Sequence, residues 1–329
     1  MAPITPQTIW ESSQSKLQSL LDSGVLAQKN RIIHFYAPSF TYYKTKYYCA
    51  KPNTFPTISI TGTSCSQNCK HCAGKVLETM YSATDPVQLW ELCKKLKANG
   101  AEGVLISGGC LPDGSVPLKP FMEVIGRVKR ELGLMVFVHT GIVDAETAGL
   151  LRDMAVDAAL IDVVGSDQTI KDVFNLKVTV QDYADSLKRL YDAGLKVVPH
   201  VIVGLDGGKL CGEFEALKII AQIEPSAVVI IAFMPIHKTP METTQAPTPM
   251  DIVKVTAVAR VMFPDVPAVL GCMRPKGKNR EETDVLALKA GVDGVAFPSE
   301  EAVRYAKENG YVMSFSPYCC AQIGLKERS

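Results

Sequence analysis

From Phe55 onward the sequence repeats one pattern eight times: a short apolar, β-branched run followed by a longer amphipathic stretch. The runs are Thr57–Thr61, Gly103–Ser107, Met135–His139, Ala158–Val163, Lys196–Val203, Ala227–Phe233, Ala268–Gly271 and Gly294–Phe297. Helical periodicity fills the intervals at Pro86–Asn99, Leu118–Leu132, Ala145–Met154, Gln181–Ala193, Glu213–Ile223, Met250–Phe263 and Glu281–Ala290, with a last helix at Glu300–Asn309. Fully apolar strands alternating with helices are the signature of βα units and a parallel sheet, because each crossover lays its helix on a face of the sheet and buries the strands. Gly100, Gly194 and Gly291 fall between a helix end and the next strand, where a C-terminal cap belongs. Eight such units predict an α/β fold, a (β/α)8 TIM-type barrel, over residues 55–309. Residues 1–54 form an N-terminal extension, with a predicted helix at Gln7–Gly24 and an aromatic segment at Phe35–Tyr48. Residues 310–329 form a short tail carrying Cys319-Cys320.

Charge and hydropathy exclude several partners. Thirty-five Lys and Arg against 34 Asp and Glu give a net charge of +1, with no basic excess for nucleic acid. No apolar run is long enough for a membrane span, and the first residues lack the pattern of a secretory signal. A cytoplasmic location is expected. Ten cysteines in such a chain point to metal ligation or redox chemistry rather than disulfides.

The loop after the first predicted strand reads Cys65-x3-Cys69-x2-Cys72. Three thiolates at this spacing can hold three irons of a 4Fe–4S cube and leave the fourth open to a chelating ligand. A zinc site would favour a second Cys-x2-Cys pair, which is missing. The spacing resembles the signature of the radical S-adenosylmethionine (SAM) superfamily. That resemblance implies a SAM molecule bound to the open iron and cleaved to a 5′-deoxyadenosyl radical. His71 then occupies the slot near the adenine, with a solvated loop histidine as the alternative. Ser107-Gly108-Gly109-Cys110 resembles the glycine motif that binds the methionine amino group, although Cys110 replaces its usual acid and the segment also reads as a plain turn. Asp162 would accept from the ribose hydroxyls, or partner a buried donor. Gly204 lies in the segment against which the adenine would pack. Arg274 would bind the SAM carboxylate, or form a structural ion pair. His139 and His200, at or near strand ends, read as hydrogen-bonded core histidines, with contact to cofactor or substrate as the alternative.

Within the superfamily the segments Asp192–Val197, Val203–Leu205, Ala257–Met262 and Gly271–Arg274 resemble biotin synthase. Biotin synthase holds its sulfur-donating 2Fe–2S cluster on barrel strands, at positions matched here by Leu105, Phe137, Val198 and Val269. None of these can ligate iron, so biotin synthesis itself is not expected. Cys93 sits on an amphipathic helix and reads as core. Cys49, Cys272, Cys319 and Cys320 are instead placed to hold an auxiliary 4Fe–4S cluster, with Cys110 and Cys211 in reserve; inert thiols or a redox pair are the alternative. Phe35–Tyr48, Phe55–Gly62, Lys75–Met80 and Gly271–Pro275 resemble the split, two-protein lipoyl synthases. That resemblance implies sulfur insertion at C6 or C8 of an octanoyl-lysine on a lipoyl carrier protein (H protein or E2 domain), a paralogous subunit, and a reductase such as ferredoxin. A radical isomerase or lyase of the hydrogenase-maturase or methylornithine-synthase kind, or an iron–sulfur carrier subunit, are the rival readings.

Overall fold

The computed structural model describes residues 3–39 and 41–325. All eight predicted strands form, as β2 (Thr57–Ser59), β4 (Gly103–Ser107), β5 (Met135–His139), β6 (Ala158–Asp162), β7 (Val197–Val203), β8 (Val228–Ala232), β9 (Ala268–Leu270) and β10 (Gly294–Ala296). Three more join them: β1 (Ile32–Tyr36), β3 (Tyr81–Ser82) and β11 (Val312–Ser316). Every pairing is parallel, in the order β11-β1-β10-β9-β8-β7-β6-β5-β4-β2-β3. The fold is therefore α/β and of the TIM type, with the sheet curled but open. In a closed barrel β10 would pair with β2; here its outer neighbour is β1, from the N-terminal extension, and β11 from the tail pairs with β1 in turn.

Local signals set most element ends. Gly100, Gly194 and Gly291 all lie at positive φ, at 89°, 83° and 87°, as capping glycines should. Pro249 opens the helix Pro249–Met262, and Thr248 and Asp251 close a reciprocal capping box before it. The single helix expected at 7–24 is instead two, Pro6–Trp10 and Gln14–Asp22. Ser13 starts the second by accepting the Lys16 N–H, so capping chemistry divides a stretch whose periodicity alone looks continuous.

Strand residues alternate between two cores, as a period of two requires. Val104, Ile106, Val136, Val138, Ala159, Ile161, Val197, Val201, Val228 and Ile230 face outward into the cluster built with the helices. Leu105, Phe137, Leu160, Val198, Val229 and Val269 face inward into a second cluster, shared with Tyr36, Phe55 and the tail residues Cys320, Ala321 and Ile323. The tail thus lies on the inner face. Its Tyr318 packs edge-on to Phe55 at 6.0 Å and donates its hydroxyl to Glu102 just before β4, while Gly324 lies against Ser226 just before β8. Both contacts lie at the N-terminal ends of strands, so the tail closes that end of the sheet. The C-terminal ends stay accessible. No helix among the described residues is long and apolar enough to cross a membrane.

Candidate active site

The cysteine loop leaves β2 at its C-terminal end, where parallel barrels place their active sites. It is stitched to its neighbours by backbone hydrogen bonds: Ser66 N–H to Cys110 O at 2.8 Å, Lys70 N–H to Val173 O at 2.8 Å and Ala73 N–H to Cys69 O at 2.7 Å. Gln67 adds a side-chain bond to Leu111 O. Thr61 Oγ1 accepts the Gly109 N–H at 2.7 Å, locking the glycine motif after β4 to the base of the loop. A Cβ on Gly109 would lie 2.1 Å from Ser64 O and 2.6 Å from Cys65 Cβ, so only glycine lets the two loops close on one another.

Within this loop the Cys69 and Cys72 sulfurs and a His71 nitrogen lie within 4.8 Å of one another. Cys69 is buried; Cys65 and Cys72 are half-buried. A hydrogen bond between Cys69 and Cys72 holds the Cys72 thiol below its ordinary range and pushes Cys69 above it. The His71 ring stacks obliquely on Phe174 at 5.1 Å, and its buried Nδ1 has no hydrogen-bond partner. The paired Cys69 and Cys72 thiols, Cys65 near enough to act on Cys69, and an orphaned buried nitrogen fit an iron–sulfur cluster at Cys65, Cys69 and Cys72 with a polar ligand beside it. Cys110, held next to the loop by burial among these thiols, is pushed up to about 12 and stays protonated.

The other predicted positions separate. Gly204 makes a tight turn at φ 80°, its N–H donated to the buried Glu213 carboxylate at 2.8 Å. Glu213 also accepts the Cys211 N–H at 2.6 Å. Gly108 packs on Ile60 and Thr61. The Asp162 carboxylate faces His139, Nε2 to Oδ1 at 3.5 Å. Burial pushes Asp162 up, but the His139 charge outweighs it and holds the carboxyl below its ordinary range. Arg274 is corrected by the structure: it is fully buried and forks onto Asp284, Nε to Oδ1 at 2.8 Å and Nη2 to Oδ2 at 3.0 Å. Further bonds to Gly271 O and Phe297 O leave its guanidinium no free edge for a carboxylate of SAM. It is the structural ion pair.

Of the four auxiliary cysteines, Cys272, Cys319 and Cys320 come together in the inner cluster. Burial and the Cys319 charge push Cys272 up to about 11, and a hydrogen bond from Cys320 lowers Cys319. Cys49 stands apart, exposed on the hairpin in which Lys44 pairs with Cys49. Cys211 is exposed beside Ser166, and Cys93 is buried in the outer core. Thr61, Phe174 and Glu213 position the site but carry no motif of their own. Only their places at a strand end, a loop and a helix start could have suggested them.

Comparison with known proteins agrees with this geometry. The sequence profile of the radical SAM superfamily matches residues 59–210. Biotin synthase of Prochlorococcus marinus is 26% identical over 249 residues, 73% of this chain and 73% of that protein. Biotin synthase of Rickettsia felis is 27% identical over 246 residues, covering 73% and 78%. Among solved structures, the FeFe-hydrogenase maturase HydG from Carboxydothermus hydrogenoformans superposes with a TM-score of 0.63 over 94% of this chain and 75% of that one, at 14% identity. Methylornithine synthase gives 0.59 over 94% and 97%, at 18% identity. These two likenesses establish the fold. Residues 59–210 match a radical SAM domain, and over 73% of its length the chain is similar to biotin synthases. The cofactors of that family are a 4Fe–4S cluster and SAM.

Proposed function

We propose that the chain is a sulfur-inserting radical SAM enzyme and, within that class, a subunit of a two-protein lipoyl synthase. One observation carries the reading. The inner-face positions that hold the sulfur-donating cluster in biotin synthase are apolar here, while three thiols, Cys272, Cys319 and Cys320, gather in that same inner cluster from the loop after β9 and from the tail. These thiols fit an auxiliary 4Fe–4S cluster as the sulfur source; Cys49, which the structure leaves on its exposed hairpin, is not required by the reading.

Bound at Cys65, Cys69 and Cys72, the first cluster and SAM supply a primary carbon radical that can take hydrogen from an unactivated C–H bond. The chain does the rest. The Gly109 backbone and Thr61 fix the loop, and His71 and the turn at Gly204 shape the cofactor side. The tail shuts the N-terminal end of the sheet, so substrate enters over the strand C-termini and reaches the half-buried apolar side chains of Leu105 and Ile231. Such a lining suits an octanoyl chain and keeps water from the reacting carbon. The acyl chain would arrive on the lysine of a lipoyl carrier protein, with a paralogous subunit inserting the other sulfur and a ferredoxin-type reductase supplying electrons.

Anaerobic reconstitution with an octanoyl-lysine peptide tests this. About eight irons per chain, 5′-deoxyadenosine release and a mono-thiolated peptide by mass spectrometry are expected. Replacing Cys319 and Cys320 by Ala should keep 5′-deoxyadenosine release and abolish thiolation. Thiolated product from that variant would refute the sulfur source; four irons and no thiolation in the wild type would refute sulfur insertion.

A further inference from the structure

In a chain whose charges nearly cancel, one stretch is one-sided. Residues 23–77 hold seven Lys and Arg and no Asp or Glu. Three of the lysines, Lys44, Lys46 and Lys51, fall within eight residues of each other and are interleaved with Tyr47 and Tyr48, just after Tyr42 and Tyr43.

This segment folds into a hairpin beyond the C-terminal end of β1. Lys44 pairs with Cys49, Ala50 donates its N–H to Tyr43 O at 3.0 Å, and Thr45 donates its N–H to Tyr48 O at 2.9 Å. Thr45 Oγ1 accepts the N–H groups of Tyr47 and Tyr48, each at 3.2 Å, which fixes the turn. Period-two alternation then divides the side chains. Tyr43, Tyr48 and Ala50 pack against the inner cluster, as Cys272 and Cys319 do. Tyr43 also donates its hydroxyl to Pro298 O at 2.6 Å, and Tyr48 stacks on Phe315 at 5.0 Å. The Lys46 N–H donates to the Glu300 carboxylate at 3.0 Å, pinning the hairpin to the start of the helix Glu300–Glu308, just past β10. On the outer side Tyr42, Lys44, Lys46 and Lys51 are exposed, Tyr42 by 80%. Lys46 faces Glu300 at 3.6 Å, whereas Lys44 and Lys51 make no ion pair among the described residues.

We propose that the outer side of this hairpin is the docking surface for an acidic face of the protein that carries the octanoyl-lysine. The inference rests on the lipoyl reading and adds to it where the carrier lands. A fixed backbone lowers the ordering cost of binding, the exposed tyrosine supplies contact area, and rim lysines without counter-charges steer an oppositely charged partner. Position singles out the carrier. The inner side of the hairpin shares a cluster with Cys272 and Cys319, so a protein seated on the outer side stands beside the thiols proposed as the sulfur source. A nucleic acid would need a longer basic track than three lysines provide.

The test separates docking from chemistry. Binding of octanoylated H protein to the reconstituted holoprotein is measured at low and moderate salt. Thiolation of the free octanoyl-lysine peptide is measured in parallel, with dithionite as reductant. The wild type should bind the carrier more weakly as salt rises. Lys44→Glu with Lys51→Glu should weaken that binding by about tenfold or more and flatten its salt dependence, with peptide thiolation and iron content unchanged. Lys44→Arg with Lys51→Arg should bind like the wild type. Lys46 is left in place because it holds Glu300. Equal carrier binding by the wild type and the Glu variant, or none by either while the peptide is thiolated, would overturn the docking surface and leave the lipoyl reading standing. Loss of peptide thiolation in the Glu variant would also overturn it, since the hairpin would then serve the interior of the site. So would intact carrier binding with a loss of 5′-deoxyadenosine release only when ferredoxin replaces dithionite, which would give the patch to the reductase. A wild type that neither thiolates the peptide nor binds the carrier would overturn the lipoyl reading and the docking surface together.

Discussion

The Arg274–Asp284 pair gives the sharpest test of how the catalytic end of the fold is held. Both side chains are fully buried, and together they join three consecutive pieces of chain. Arg274 reaches Gly271 O at 2.6 Å and Phe297 O at 3.2 Å, while Asp284, on the helix Lys278–Lys289, also accepts the Ser299 N–H at 2.8 Å. Asp284→Ala leaves a guanidinium buried with no counter-charge, which costs about 3–5 kcal/mol. The orphaned Ser299 N–H adds to this, so a loss of about 4 kcal/mol or slightly more is expected. Arg274→Met with Asp284→Leu removes both charges at once and should recover most of it, to within about 2 kcal/mol of wild type. Anaerobic urea unfolding of the four proteins closes the double-mutant cycle, and the coupling should exceed about 2 kcal/mol. The folded double variant should still release 5′-deoxyadenosine. A loss below about 1 kcal/mol for Asp284→Ala would refute the buried pair. A double variant that is stable yet cannot bind SAM would refute the structural role and return Arg274 to the cofactor.

Two further outcomes follow from single contacts. Gly109→Ala must push Ser64 and Cys65 aside, because the new Cβ would sit 2.1 Å from a carbonyl oxygen. It should lower iron loading at the first cluster and cost about 1–3 kcal/mol, and full loading would refute the packing of the two loops. Asp144 caps the helix Ala145–Asp153 and pairs with Lys119 at 2.9 Å; its bonds to Thr147, then to Lys119, hold its pKa down to about 2. A depressed carboxyl stabilises the fold above its unfolded pKa near 4, and that contribution disappears as pH falls towards 2. The side chain is 59% exposed, so solvent screening limits the effect to about 1 kcal/mol. Asn caps a helix as well as Asp, so Asp144→Asn isolates the charge. Its deficit in unfolding midpoint should narrow between pH 6 and pH 3, and a constant deficit would count against the assignment.

The eight strands were legible because each βα unit carries its own local pattern: an apolar run, a capping glycine, a periodic helix. The cluster loop was legible for the same reason, since Cys65, Cys69 and Cys72 lie within one turn of chain. What stayed hidden depends on residues far apart in sequence. The Ile32–Tyr36 run has strand composition, but its pairing with β10 and β11 lies more than 250 residues away. Val312–Ser316 is short and half exposed, and its partner β1 likewise lies far away in sequence. Arg274 looked like a cofactor ligand because a charge beside Cys272 has no local partner; Asp284, ten residues on and buried, supplies it only once the helix folds back. The polarity of His139, Asp162 and His200 was visible at three strand ends. Their convergence was not, because the register between strands decides it.

The open edge explains why this chain can move its thiols away from the barrel strands. In a closed barrel the inner face is filled by layers of strand side chains, and no tail can enter. Here β1 and β11 extend the sheet beyond β10 instead of letting it meet β2, and the chain emerging from β11 is already beside the inner face. Ser316 accepts the Tyr318 N–H and bonds Gln322, which turns the tail inward immediately after the strand. Cys319 and Cys320 then fall among Tyr36, Phe137 and Val269 without any strand residue giving up its apolar side chain. Leu105, Phe137, Val198 and Val269 can therefore serve as packing for the tail, and the polar layer at His139, Asp162 and His200 is left to face the cofactor end. Tail thiols, apolar layer and polar layer thus share one inner face. The N-terminal extension makes this possible, since without β1 there is no edge on which β11 could pair.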